Sequence, residues 1–135
     1  MYKFECRFRN KLQDITKINF IKIRPNWLKY PLSNRNLELD MYNDYHKLAI
    51  EYDGLQHYRW PNYYHKTYTE FLNQQKRDRW KDWACEYNNI TLIRIPSSRD
   101  IKKEFSVLST ELKKHNILSF SHDDIDRFID LNNFY

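Results

Sequence analysis

Two neighbouring segments of the chain alternate between apolar and polar residues, and this alternation restricts the fold more than any other feature. The apolar residues at every second position are Leu37, Leu39 and Met41 in the first segment and Leu48, Ile50 and Tyr52 in the second. Residues 43–46, Asn-Asp-Tyr-His, lie between the segments and suit a turn. Because side chains on a strand point alternately to opposite faces, the pattern predicts an antiparallel β-hairpin with one buried face.

The rest of the chain predicts helices and strands around this hairpin. The expected elements are a helix over residues 3–15, a strand over 20–23, a loop over 26–35, a helix over 69–88, a strand over 90–95, and two helices that begin at Ser97-Ser98 and at Ser121 and end near His115 and Leu131. The apolar stripe expected on the long helix is Phe71, Trp80, Trp83, Ala84 and Tyr87. The apolar run at 90–95 predicts a strand buried on both faces. This order predicts an α/β fold (an α+β mixed sheet), with a small mixed β-sheet flanked by helices and C-terminal helices added.

Length and composition limit the class of protein. The 135 residues suit a single domain over residues 1–135, with a core at about 3–96 and a helical extension at about 98–133. No apolar run approaches the roughly 18–20 residues that cross a membrane. The N-terminus lacks the apolar stretch of a signal peptide. We therefore expect a soluble, intracellular protein without a membrane partner.

The cysteine content and the net charge exclude some sites and favour one kind of partner. Cys6 and Cys85 have no further cysteine or Cys/His cluster beside them, which excludes a disulfide scaffold and a Cys/His zinc site. The formal net charge of +5 is compatible with a polyanionic partner, although charge of this size alone does not establish one.

Carboxylates gather on the polar face of the predicted hairpin. A turn centred between Asp44 and Tyr45 places Asp40 opposite Ala49, with Glu51 as its diagonal neighbour at about 7–8 Å. Carboxylates on one face repel one another unless a cation lies among them, and oxygen ligands of this kind suit Mg²⁺. The alternative is an ordinary solvated strand face, since polar residues alternate on any half-exposed strand.

The residues that follow the second strand favour a site. Gly54, the single glycine of the chain, comes directly after the strand, where a glycine provides a positive φ or a close approach of another group. Gln56 and His57 follow, and an imidazole can activate water near neutral pH. A lone histidine is more often structural, but beside these carboxylates the catalytic role is favoured.

These residues resemble the core of the PD-(D/E)xK nucleases. The resemblance lies in Leu37–Asp40, Lys47–Tyr58, Gln75–Lys81 and Asn89–Pro96, and it covers roughly residues 3–96. The nearest branch is the one related to very-short-patch-repair endonucleases and to phage or viral homing endonucleases with a Glu-Asp-x-His-Asp pattern. It implies a restriction-endonuclease-like core and a metal-dependent endonuclease that cleaves or nicks DNA, acting in a host cytoplasm or nucleus or in a viral replication compartment.

The resemblance also implies roles for individual residues. A Mg²⁺ or Mn²⁺ site is implied at Asp40, Glu51 and Glu5, with His57 as a base or proton donor and Asp78 as the closing acid of the pattern. Asp53 stands where the family has its catalytic lysine, and the candidates to replace that lysine are Gln56, His57 and Lys81. For Asp78 and Glu5 the alternative is an acid without a role in the site.

DNA is the implied partner, held through basic residues close to the site. The candidates are Arg59, Lys76, Arg77, Arg79 and Lys81. The cluster at 76–81 can equally be a solvated helix face, and the aromatic residues at 59–68 can stack on bases or form a hydrophobic lid. Sequence specificity would come from this domain, a homodimer or a partner protein. Two other functions stay open: a DNA-binding protein that keeps the nuclease fold without turnover, and an interaction module.

Overall fold

The computed structural model describes residues 2–54, 57–117 and 120–129. By its internal contacts the chain forms two compact units, Ile21–Pro96 and a second unit of Met1–Phe20 with Ser97–Tyr135. The elements of the first unit are β1 (Ile21–Ile23), a 3-10 helix (Asn26–Leu28), β2 (Lys29–Tyr30), β3 (Arg35–Asn36), β4 (Leu39–Asn43), β5 (Leu48–Asp53), α2 (Tyr68–Tyr87) and β6 (Thr91–Pro96); those of the second are α1 (Tyr2–Thr16), α3 (Ile101–Lys114) and α4 (His122–Phe128). The fold is mixed α/β, as predicted, and the single domain over residues 1–135 stays a prediction.

The main sheet has four strands in the order β1-β4-β5-β6. The predicted hairpin is β4–β5, but its register differs from the prediction, because Tyr42 and not Asp40 pairs with Ala49. The turn occupies residues 44–47, with Lys47 in the left-handed region at a φ of 50°. Because the turn is centred one residue later than predicted, each residue of β4 pairs with a residue of β5 two positions further along. A shift of two residues keeps every side chain on its predicted face, and it places Asp40 level with Glu51.

Burial is distributed differently from the prediction. All six residues of β5 are buried, because β5 lies between β4 and the parallel strand β6. The expectation of a half-exposed hairpin strand was wrong for β5. The expectation of burial on both faces was also wrong for β6, which is an edge strand with four residues half-buried or exposed.

Residues 26–35 form regular structure in place of the predicted loop. A 3-10 turn leads into the two-stranded ribbon β2–β3, and Leu28 is fully buried. Leu28 belongs to a core cluster with Leu39, Tyr42, Ala49, Ala84, Cys85 and Ile90. The indole Nε1 of Trp80 donates to the Lys29 carbonyl at 3.0 Å, which attaches this ribbon to α2. The short strands gave too little alternation for the sequence to reveal them.

Helix α2 begins and ends where polar residues satisfy its free backbone groups. The Thr67 side chain accepts from the amide of Glu70, and Asn88 forms the C-terminal cap. Phe71 and Ala84 of the predicted stripe are buried, whereas Trp83 and Tyr87 are exposed. The stripe was therefore wrong at these two positions, because Cys85 takes part in the core instead.

The second unit is formed by three helices with an aromatic core. The rings of Phe8 on α1 and Phe105 on α3 stack with their centroids 4.6 Å apart. Helix α3 is capped by Asp100 and not by Ser97-Ser98, since Ser98 instead donates to the Glu104 carboxylate. Ser121 caps α4 in a capping box, as predicted. None of the described helices is long and apolar enough to span a membrane.

Candidate active site

The hairpin brings the carboxylates of Asp40 and Glu51 together. Glu51 Oε2 accepts a hydrogen bond from the Asp40 amide at 2.8 Å, and Asp40 Oδ2 accepts one from the Tyr52 amide at 3.3 Å. Glu51 is only 2% exposed, while Asp40 is half-buried. The two acids are closer than a diagonal pair would be, and each is oriented by the backbone of the opposite strand.

A lysine from the following helix neutralises the buried Glu51. The Nζ of Lys81 donates to Glu51 Oε1 in an ion pair, and the Lys81 side chain is 13% exposed. A buried carboxylate requires such a partner, because transfer of an unpaired charge from water to the protein interior is unfavourable. Of the three candidates to replace the missing lysine, Lys81 is therefore placed against Glu51.

Asp53, which occupies the expected lysine position, is held in a separate network. Its Oδ2 accepts from the Tyr58 hydroxyl at 2.8 Å and from Arg94 Nη1 at 3.0 Å, and the residue is 2% exposed. Burial is the largest factor that raises the pKa of Tyr58, and the negative charge of Asp53 adds to it. Asp53 thus anchors Tyr58 and Arg94.

His57 and Asp78 form a hydrogen-bonded pair beside this network. His57 Nδ1 lies 2.9 Å from Asp78 Oδ2, and His57 Nε2 lies 3.9 Å from Asp53 Oδ1. Burial is the largest influence on the His57 pKa and lowers it, but the two carboxylates outweigh it and the pKa is raised. Burial likewise acts to raise the Asp78 pKa, yet His57 and Arg94 lower it overall. A carboxylate at Nδ1 fixes the ring and leaves Nε2 to exchange protons.

Arg94 connects these acids and was missed by the sequence analysis. Its guanidinium binds Asp53, the carbonyl of Asp78 and the carboxylate of Asp82, the last through Nε at 3.1 Å and Nη2 at 2.9 Å. Burial acts to lower the Arg94 pKa, but the three carboxylates raise it. Arg94 is the one charged residue in the apolar run of β6, and a lone charge in such a run is the signal that could have identified it.

His57, Asp78 and Arg94 border a small open cavity of about 240 Å³. Its lining residues are His57, Tyr58, Gln75, Asp78, Arg79, Asp82 and Arg94. The cavity therefore presents one imidazole, two guanidinium groups and two carboxylates to solvent.

Three sequence predictions at the site have different outcomes. Gly54 is buried, but it does not have the positive φ that was one of its two predicted uses; its carbonyl accepts from the His57 amide at 3.2 Å. Gln56 lies outside the described residues. Glu5 belongs to the second unit, where it pairs with Arg9 at 3.1 Å, and its part in a metal site stays a prediction.

The predicted DNA-contacting residues of α2 separate onto different faces. Lys76 and Arg79 are exposed, Arg77 donates to Gln74 at 3.2 Å, and Lys81 points to Glu51. Arg59, before the helix, is exposed as well. Only part of the basic cluster is thus a solvated helix face.

The aromatic residues that follow His57 also divide. Trp60 packs on Tyr68 and Phe71, with ring centroids 5.8 Å and 6.1 Å away, as a lid would. Tyr63 is 94% exposed and lies against Tyr64.

The donor set of the two hairpin carboxylates fits a hydrated Mg²⁺ or Mn²⁺. The described part of the chain has no group of three or more His, Cys, Asp or Glu side chains placed to hold a metal ion. Mg²⁺, however, is commonly held by one or two carboxylates and keeps several waters. Asp40 and Glu51 supply such a pair, and a carboxylate that accepts two hydrogen bonds still has free lone pairs.

The chain has relatives among proteins of iridoviruses and frog virus. It is 45% identical over 82 residues to uncharacterized protein 307L of Invertebrate iridescent virus 6, covering 57% of this chain and 42% of the relative. It is 36% identical over 92 residues to uncharacterized protein 033L of Invertebrate iridescent virus 3, covering 68% and 47%. It is 40% identical over 95 residues to uncharacterized protein 094L of Frog virus 3, covering 70% and 61%.

The alignments thus span about half the length of these relatives. No family model matches the chain. No solved structure matches it either.

Proposed function

We propose that the chain is a metal-dependent endonuclease that hydrolyses phosphodiester bonds in DNA, on a restriction-endonuclease-like core. The observation that carries the proposal is the contact of Lys81 with Glu51, beside Asp40. Two acids and a lysine together form the set that the PD-(D/E)xK resemblance requires, although the lysine is contributed by α2 instead of the strand. The mixed sheet, with both acids on its central hairpin, supports the same core.

Asp40 and Glu51 are the residues that would hold the metal ion. When bound there, a divalent ion neutralises a phosphate oxygen and lowers the pKa of its water. The Asp40 amide orients the Glu51 carboxylate, and the Tyr52 amide orients the Asp40 carboxylate. Lys81 carries the positive charge that interacts with the non-bridging oxygens as negative charge develops on the phosphate.

His57 is the residue that would accept or deliver the proton. Asp78 holds the ring through Nδ1, so Nε2 is the nitrogen available for proton exchange. Because Asp78 and Asp53 raise the His57 pKa above its usual value of 6.5, a larger fraction of the rings carries a proton near neutral pH than in a free imidazole. A role as acid toward the leaving oxygen therefore suits it best.

A second candidate function is DNA binding without turnover on the same fold. The observation that favours it is that both oxygens of Glu51 already have partners, Lys81 and the Asp40 amide. If a metal ion does not displace Lys81 from the Glu51 carboxylate, Glu51 serves only to hold the lysine in place.

Cleavage assays distinguish the two functions. Supercoiled plasmid and branched DNA are incubated with the native chain and Mg²⁺ or Mn²⁺, beside Asp40→Asn, Glu51→Gln and Lys81→Met. We expect metal-dependent cutting that falls by about 10²–10³-fold in each variant, the usual loss when one transition-state contact is removed. Asp44→Asn is the matched control, since Asp44 is an exposed acid of the same hairpin that pairs with Lys47.

The outcomes separate cleanly. Binding of the DNA without cutting under any metal supports the second function. Cutting that is equally fast in the three variants contradicts the proposed site. If the native chain shows no DNA binding and no cutting, both functions are contradicted.

A further inference from the structure

A groove of about 520 Å³ lies between α2 and the turn that joins β2 to β3, next to the site described above. Its walls are residues 30–32 on one side and Lys76, Arg79, Trp80 and Trp83 on the other. The volume falls within the roughly 300–1,000 Å³ of ordinary ligand pockets. Trp83, an exposed aromatic residue of α2 whose exposure the predicted core stripe does not explain, lines this groove.

The aromatic rings form a continuous row. Trp80 is fixed by its hydrogen bond to the Lys29 carbonyl and by its edge contact with Tyr30. Trp83 lies against Trp80 with ring centroids 5.0 Å apart, and Tyr87 stacks on Trp83 at 5.4 Å and 21°. Trp83 is 53% exposed and Tyr87 74%. A rigid inner ring thus supports flat outer rings that are open to solvent.

The charges at the rim are all positive. Lys76 and Arg79 are exposed, and neither forms an ion pair with any residue that the structure describes. None of the described lining residues is acidic. An occupant that complements this groove has flat unsaturated rings and regularly spaced negative charges. Nucleic acid has both features, whereas a proline-rich peptide has rings without such charge.

The groove and the candidate active site are neighbours. Arg79 lines both the groove and the cavity that contains His57 and Asp78. Bases in a duplex already stack on one another, so only unpaired bases can stack on Trp83 without a cost in base unstacking.

We propose that this groove, together with the Tyr87 ring that adjoins Trp83 outside it, binds single-stranded DNA, with unpaired bases stacked on Trp83 and Tyr87 and phosphates held by Lys76 and Arg79. The base stacking and the phosphate pairing do not depend on nuclease activity. The choice of DNA as the strand rests on the proposed function, through the shared Arg79. A substrate with an unpaired segment beside the cleaved bond would contact both surfaces.

The test measures binding of fluorescein-labelled dT12 by fluorescence anisotropy in EDTA, so that no metal-dependent cleavage can occur. Trp83→Ala should weaken binding by about fivefold to 150-fold, which corresponds to the roughly 1–3 kcal/mol of one stacked base. Trp83→Phe, which keeps a ring, should restore most of the affinity. Tyr45→Ala removes a ring from the β4–β5 turn that is more exposed than Trp83, at 88% against 53%, and should leave binding unchanged.

A second arm tests the charges. The double variant Lys76→Gln, Arg79→Gln should reduce the slope of log affinity against log salt by about 1–2, since each phosphate contact in a single strand contributes roughly 0.7.

Several results would overturn the proposal. They are no dT12 binding by the native chain, equal affinity of Trp83→Ala and Tyr45→Ala, or an unchanged salt slope in the double variant. A preference of at least tenfold for rU12 would assign the groove to RNA, and binding of a decaproline peptide that Trp83→Ala abolishes would assign it to a protein. Because cleavage is assayed separately, loss of nuclease activity and loss of this binding are distinguishable.

Discussion

Replacement of Lys81 by Met removes the cation that pairs with Glu51 and keeps a side chain of similar length. Glu51 is 2% exposed, so its carboxylate would be left in the interior with one remaining hydrogen bond, from the Asp40 amide at 2.8 Å. Loss of one partner of a buried ion pair costs about 3–5 kcal/mol. The remaining bond places this case at the lower end, and we expect Lys81→Met to lower the free energy of unfolding by about 3 kcal/mol.

The partner variant should cost less. In Glu51→Gln the amide oxygen can still accept from the Asp40 amide, and Lys81, at 13% exposure, can turn its ammonium toward solvent. A loss of about 1 kcal/mol is expected, the size of one ordinary hydrogen bond. The double variant has no unpaired charge, so its loss should be near that of Glu51→Gln alone. The two substitutions should therefore be non-additive by about 3 kcal/mol.

Urea denaturation followed by circular dichroism measures all four proteins of this cycle. Comparable slopes against urea concentration are required, so that the differences reflect stability alone. A coupling below about 1 kcal/mol is typical of an exposed pair, and that value would refute the interpretation of Lys81 as the charge that makes the buried Glu51 tolerable.

Three further perturbations test the rest of the network. Asp78→Asn should lower the free energy of unfolding by about 1–2 kcal/mol at pH 5.5, where both partners are charged, and by less at pH 8.5. The raised His57 pKa adds stability below pH 6.5, and this stability is lost as the pH rises through the pKa of the folded state. The lowered Asp78 pKa adds stability above pH 3.8, so both contributions are present at pH 5.5. An equal loss at both pH values would exclude the pairing. Cys85 is fully buried and its pKa is raised to about 12, first by burial, so a thiol reagent should label the half-buried Cys6 first and Cys85 only on unfolding; simultaneous labelling of both would contradict this. Arg94→Lys keeps the charge but not the forked guanidinium that binds three acidic residues. It should lower the free energy of unfolding by about 2 kcal/mol in the same urea assay. No measurable loss would mean that a point charge is sufficient at this position.

The hairpin was predictable because strand alternation has a period of two and depends on nothing outside the segment. Its register was not, since four polar residues can turn at more than one position. The hydrogen bond that the His46 amide donates to the Asn43 side-chain oxygen and the left-handed Lys47 select the observed turn. The error shifted the pairing of the two strands by two residues. The predicted face of Asp40 was therefore correct, although the residue predicted opposite it, Ala49, was wrong.

Burial and partner choice depended on the other strands and on the helix. An apolar run such as 90–95 is compatible with a central or an edge strand, and only the sheet order distinguishes them. The positions of Lys81 and Arg94 follow from the packing of α2 and β6 against β5, which no local pattern encodes. The sequence therefore identified the acids of the candidate site more completely than the cations that neutralise them.

The ion pair between Glu51 and Lys81 joins positions thirty residues apart on a strand and a helix. In homologous chains the two positions should consequently covary. A chain that has lost the basic residue at 81 but keeps the acid at 51 should carry a new cation elsewhere, and position 53, directly along the same strand, is the nearest place for it. Arg94 would then lose Asp53, one of its three acidic partners, and would lie against a like charge, so a basic residue at 53 should be accompanied by an uncharged residue at 94. Positions 53, 81 and 94 lie on separate elements and would change together. A search for short contiguous motifs would not detect this covariation.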